Sequence, residues 1–169
     1  MILTDEAIRS FETRFKVNPP LRSDDHRAAV VEGLKDGTID AIVTDHAPHE
    51  WEEKDQEFNL APSGFVGLET SVGAVLTYLY HTGEVDLMTI VNAMSTAQAK
   101  ILRLDAGVIA PGKDADLTIL DLDKEWTVDA SAFYSKGKAS PFDEMIFKGK
   151  AVATVVDGAF VMKDGEVLR

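Results

Sequence analysis

The sequence contains no cysteine, which excludes disulfides, thiolate nucleophiles and thiolate metal sites. A metal ion would have to be held by His, Asp, Glu or an oxygen carried on lysine, and only four histidines are present. No segment approaches the roughly 20 consecutive apolar residues that cross a bilayer, so no membrane partner is expected. Met1-Ile2-Leu3-Thr4-Asp5-Glu6 meets acidic side chains at once, unlike a secretory leader, and a cytoplasmic location is the default. Positive charge is also scarce: 17 Lys and Arg stand against 29 Asp and Glu, for a net charge of −12. With no Lys/Arg cluster to reverse that balance locally, a nucleic-acid partner is not expected, and the acidity reads as solubility. There is no internal repeat, no low-complexity segment and no His-x-His. What is present is the composition of a soluble globular protein, 45% hydrophobic and 27% charged. Its 169 residues suffice for one sizeable core or two small ones.

The first half reads as alternating strands and helices. Asn18-Pro19-Pro20-Leu21-Arg22 is extended, because consecutive prolines forbid helix and restrict the residue before them. Ser23 is placed to cap a helix with Asp24 and Asp25 in its first turn, Val30, Val31 and Leu34 as its apolar stripe and Gly37 closing it. Ile39-Asp40-Ala41-Ile42-Val43 has the character of a buried parallel strand. Residues 50–62 are polar and irregular, long enough for a functional loop. The pattern predicts helix over 66–80, a second helix capped by Asp86, and a third started by a Ser95/Gln98 capping box and running to about Leu104. Near Gly107 the character changes. Pro111-Gly112 is a turn, Asp116 to Asp121 alternates as a strand does, and Asp157-Gly158 and Asp164-Gly165 are hairpin signals. Residues 1–105 thus read as βα units and 106–169 as antiparallel β.

Thr44-Asp45-His46-Ala47-Pro48-His49 follows the apolar run directly. Polar groups at the carboxyl edge of a parallel sheet are where α/β barrels build their active sites. The same residues also serve as loop punctuation, with Asp45 capping a turn and the histidines in solvent, and both readings stand at this point. His46 and His49 lack the i, i+4 spacing of a helical ligand pair, and Pro48 disfavours helix. His26 and His81 read as solvated or capping residues. Asn18 could face the same crevice as Asp45, or simply form a turn. The segment Ala61-Pro62-Ser63-Gly64-Phe65-Val66-Gly67 could bring backbone close to a ligand, since glycine lets main chain approach.

Together these motifs resemble the dihydroorotase family. Lys16 to Arg22, Asp36-Gly37-Thr38-Ile39-Asp40, Thr44 to His49 and Gly67-Leu68-Glu69-Thr70 follow its order and spacing. Gly107 to Leu117, Ser140-Pro141-Phe142 and Val155-Val156-Asp157-Gly158 are similar to the segments that lead into and through its small β-sandwich. The resemblance covers essentially the whole chain. It implies a distorted (β/α)8 barrel, a TIM-type barrel, with residues 1–105 its last βα units and 106–169 the C-terminal part of the sandwich. It implies reversible cyclisation of N-carbamoyl-L-aspartate to L-dihydroorotate, in pyrimidine biosynthesis, at two zinc ions bridged by hydroxide. Asp45 matches the aspartate that touches a metal, takes the hydroxide's proton and passes it to the ring nitrogen. His49 and Asn18 match substrate contacts, and Ser63 and Gly64 fall where backbone meets the ring.

The family's other ligands (a His-x-His pair, a bridging carboxylate or carboxylated lysine, and two further histidines) belong to earlier strands and are absent here. The resemblance implies that the chain begins after the last of them. The chain alone is therefore expected to be inactive, to need the missing N-terminal part as partner, and to leave sheet edges that invite homo-oligomerisation. The alternatives are a related allantoinase or hydantoinase, against which His49 argues, and a non-catalytic assembly partner, for example of aspartate carbamoyltransferase.

Overall fold

The computed structural model describes residues 1–168; the last residue of the expected sandwich segment, Arg169, lies outside them. The chain is α/β with a small antiparallel sheet. Helix α1 (Asp24–Lys35) carries Asp24 and Asp25 in its first turn and buries Val31 and Leu34, while Val30 stays exposed. Ser23 occupies the cap position, but its hydroxyl meets His26 Nδ1 at 2.7 Å and no backbone amide.

The apolar run after it departs from the expected strand. Residues 39–43 join no ladder; Ile39 N–H donates to Gly33 O and Ile42 N–H to Ala93 O. A parallel strand exists only through neighbours on either side, and among the described residues it has none. Ile42 is buried while Val43 is 74% exposed, so one face of the run is packed and the other is bare.

A short helix α2 (Trp51–Lys54) follows, then α3 (Ser71–Val75), which continues into a π-helical turn (Leu76–Tyr80). Helix over 66–70 does not form because those amides are used elsewhere. Val66 N–H donates to Ala139 O, and Gly67 and Leu68 N–H donate to His46 Nδ1. Asp86 caps α4 (Leu87–Val91) as expected, accepting from Met88 and Thr89 N–H. The Ser95/Gln98 box starts nothing: α4 runs through a π turn (Asn92–Thr96) into α5 (Ala97–Leu102) as one continuous rod. Gln98 Nε2 donates instead to the carbonyls of Ile42 and Ala93, fastening the unladdered run to this rod.

The rest is a four-stranded antiparallel sheet ordered β1-β2-β3-β4: β1 (Leu117–Thr127), β2 (Ile146–Val156), β3 (Ala159–Lys163) and β4 (Glu166–Val167). Both Asp-Gly hairpins form. Asp157 and Gly158 have φ of 51° and 78°, and Asp164 and Gly165 have 53° and 89°, the double positive φ of a type I′ turn.

Two apolar clusters share α3 and its π turn as a wall. Val75 and Leu79 face Val31, Leu34, Ile42 and Ile90. Ala74 and Tyr78 face Val128, Phe142 and Phe147. In that π turn Thr77 Oγ1 accepts from Lys148 N–H at 2.8 Å, tying the helix to β2. This wall fixes the sheet against the segment that carries residues 44–49.

Candidate functional site

Residues 44–49 run beside residues 63–68, and the two segments interlock through backbone. Ala47 N–H donates to Phe65 O at 3.0 Å, and His46 Nδ1 accepts from Gly67 N–H at 3.1 Å. Accepting at Nδ1 puts the proton of a neutral His46 ring on Nε2. Gly67 lies so near that an added Cβ would stand 3.0 Å from Thr44 O. Asp45, which follows Thr44, has φ of 45°, a left-handed conformation uncommon outside glycine, in which aspartate is one of the tolerated types. Its carboxylate is exposed and has no hydrogen-bond partner among the described residues.

His49 and Ser63 are brought together. His49 Nε2 stands 3.0 Å from Ser63 O, and its Nδ1 stands 3.3 Å from Glu53 Oε2. Gly64, with φ of 127°, packs under this ring: a Cβ there would lie 2.7 Å from Ala47 Cβ and 3.2 Å from His49 Nε2. Gly64 N–H donates to Lys16 O at 2.9 Å, which places the segment carrying Asn18 next to the loop. Asn18 itself is exposed and precedes Pro19 through a cis peptide bond. Asn18, Asp45, His49, Ser63 and Gly64 thus come from three segments held together by main chain, on an open surface. The apolar cleft of about 220 Å³ between Leu3, Leu21, Val43 and Phe65 includes none of them.

Two lysines hold this loop, and the sequence reading passed over both. Lys16 Nζ donates to the carbonyls of Phe58, Asn59 and Ala61 at 2.7, 3.1 and 2.7 Å. Lys54, only 3% exposed, donates to the carbonyls of Pro62 and Gly64 at 3.0 and 2.9 Å. Burial, and secondarily the charge of Lys16, hold the Lys54 ammonium below the usual lysine range. A lysine amid Glu52, Glu53 and Asp55 looks like a solvated residue, and only the returning carbonyls, eight and ten positions on, disclose its role.

A zinc ion requires three or four protein ligands. Among the described residues no three His, Asp or Glu side chains group closely enough to hold a metal. His26 is exposed and meets Ser23, and His81 Nε2 meets Leu122 O at 2.7 Å, so neither joins Asp45. Asp45 is a single candidate ligand, and the residues described do not fit a two-zinc centre.

The chain is 51% identical over 162 residues to a dihydroorotase of Pelotomaculum thermopropionicum, covering 96% of the chain and 38% of that protein. It is 54% identical over 159 residues to one of Citrifermentans bemidjiense, covering 94% and 37%. A Bacillus subtilis dihydroorotase is 42% identical over 169 residues, covering 100% and 40%. The chain therefore spans about two fifths of the length of the curated relatives it matches. Among solved structures it is similar to the L-hydantoinase of Arthrobacter aurescens, with a TM-score of 0.93 and 38% identity over 99% of this chain and 38% of that one. A Thermus D-hydantoinase gives a TM-score of 0.84 with 28% identity over 92% and 35%. Residues 6–161 match the amidohydrolase family, and with the interlocked loops and the relatives in agreement, the chain belongs to that family.

Proposed function

We propose that this chain forms the Asp45–His49 side of the site of a cyclic amide hydrolase of dihydroorotase type, interconverting L-dihydroorotate and N-carbamoyl-L-aspartate. In this reading residues 1–105 are the last βα units of a (β/α)8 barrel and 106–169 the C-terminal part of its small β-sandwich. The observation that carries it is the junction of His49 with Ser63 and Gly64, in the segment that also carries Asp45, two loop segments locked by backbone contacts. Asp45, unpaired and exposed, accepts the proton of the attacking oxygen and returns it to the ring nitrogen as the C–N bond breaks, work suited to a carboxylate within hydrogen-bond reach. His49 and Asn18 hold the substrate's oxygens, and the Ser63–Gly64 backbone meets its ring. The zinc pair implied by the family resemblance needs ligands that the described residues do not supply, and no step is assigned to it here.

A hydantoinase reading is favoured by the solved structures the chain matches. The dihydroorotase relatives are the more similar in sequence, and His49 after Ala47-Pro48 also supports the first reading. The experiment is hydrolysis of dihydroorotate, and of hydantoin in parallel, by the 169-residue chain with zinc. It is then repeated after adding the N-terminal remainder of the Bacillus subtilis relative. The expected result is no turnover alone and dihydroorotate turnover on addition. Turnover of hydantoin only would favour the second reading, and turnover by the chain alone would overturn the count of metal ligands. In the completed enzyme Asp45→Ala is expected to abolish turnover, and normal turnover would remove its role. His49→Ala is expected to raise KM by about tenfold, the worth of one hydrogen bond to a charged group.

A further inference from the structure

Lys54 is a buried cation with no carboxylate partner among the described residues. Lysine is almost never fully buried unless paired, so something must compensate the lost hydration. Here two backbone carbonyls do, those of Pro62 and Gly64. The consequence follows from peptide geometry. The only cis peptide among the described residues is Asn18–Pro19, so the Pro62–Ser63 and Gly64–Phe65 bonds are trans. In a planar trans peptide the C=O and N–H point in opposite directions. Both carbonyls face one ammonium, so the N–H groups of Ser63 and Phe65 both face away from it.

The other main-chain polar groups of residues 62–65 are occupied. Ser63 O meets His49 Nε2, Gly64 N–H donates to Lys16 O, and Phe65 O accepts from Ala47 N–H. Of the N–H groups of residues 62–65, those of Ser63 and Phe65 lack an acceptor among the described residues, and both residues are half-buried.

We propose that Lys54 is a positioning residue: by clamping the Pro62 and Gly64 carbonyls it aims the Ser63 and Phe65 N–H groups, as a pair of donors beside His49, at the carbonyl or carboxylate oxygens of a cyclic amide ligand. The ligand class rests on the functional reading given above; the orientation of the two peptides does not. Lys16 is the internal control. It holds the carbonyls of Phe58, Asn59 and Ala61, none of which belongs to the two peptides in question.

The test has two arms. In the full 169-residue chain labelled with ¹⁵N, the amide signals of Ser63 and Phe65 are compared in wild type, Lys54→Met and Lys16→Met. They are expected to move in Lys54→Met and to stay near wild type in Lys16→Met. Unchanged signals in Lys54→Met would overturn the positioning role. In the chain completed by the N-terminal remainder of the Bacillus subtilis relative, Lys54→Met is expected to raise KM for dihydroorotate about tenfold or more, with kcat within about threefold. Lys54→Arg, which keeps a cationic donor, is expected to recover most of that loss. Equal falls in kcat for Lys54→Met and Lys16→Met, with KM unchanged, would mean a structural role only and overturn the proposal. Should Lys54→Met not fold, orotate added to the completed wild-type enzyme must still protect the Ser63 and Phe65 amides from exchange, and their failure to respond would overturn it too. Moved amide signals in a protein that neither turns over dihydroorotate nor binds orotate would overturn the cyclic-amide ligand and leave the peptide orientation standing.

Discussion

Gly64 sits where three constraints meet: a φ of 127°, the Ala47 main chain, and the His49 ring. A methyl group added there would lie 2.9 Å from Ala47 O as well as against Ala47 Cβ, so backbone on one side must shift. Gly64→Ala is expected to destabilise the chain by about 1–3 kcal/mol, the cost of a strained backbone conformation that its surroundings enforce. Gly37, with φ of 82° and nothing within 4 Å, offers the comparison. Gly37→Ala should cost only the conformational part, about 1–2 kcal/mol. Urea midpoints of the two variants decide it, and a smaller loss at Gly64 than at Gly37 would show that the Ala47 contact yields freely. At this scale Asp45, His49 and Asn18 were legible as candidates because each stands beside a proline or at the end of an apolar run. Lys16 and Lys54 were not. Their partners are carbonyls, which every residue possesses, so no side-chain pattern announces them.

Asp86 accepts from Met88 N–H at 2.9 Å, Thr89 N–H at 3.0 Å and Thr89 Oγ1 at 2.7 Å, occupying the donors that the start of α4 leaves open. Those hydrogen bonds, the one from the Thr89 side chain foremost, hold its carboxyl below the usual aspartate value of 3.8. A depressed carboxylate stabilises the fold above its unfolded value, and that contribution is lost as pH falls through the folded one. Asp86→Ala is therefore expected to lower the urea midpoint at pH 7 and to differ less from wild type once the pH falls below the folded value. A loss of the same size at both pH values would show that the charge contributes nothing. The same element explains a misreading. Ser95 and Gln98 have capping-box spacing, but they lie inside a rod already nucleated at Asp86, so Gln98 was free to fasten Ile42 and Ala93. The Asp-Gly hairpins were legible because a type I′ turn is decided by two adjacent residues. The expected strand at 39–43 failed because parallel pairing is decided by residues far away.

Across the whole molecule, the bare face of residues 39–43 is where the proposed barrel assignment can be tested. Val43 is 74% exposed, and between Ile42 and Ala47 no backbone N–H is paired to another backbone group among the described residues. A central parallel strand would have both properties reversed, with side chains and amides covered by strands on each side. No helix among the described residues is long and apolar enough to cross a membrane. If the N-terminal remainder of a dihydroorotase relative completes the barrel, hydrogen exchange at Val43 and Thr44 should slow by orders of magnitude when it is added. Ile42, already bonded to Ala93 O, should change less. In the chain alone the uncovered edge should instead drive concentration-dependent association, read by sedimentation, which the added remainder abolishes. Exchange at Val43 that stays fast in an active, completed enzyme would mean that this run is not the last strand of a barrel. The assignment of residues 1–105 would fall with it, while Asp45 and His49 would keep their roles.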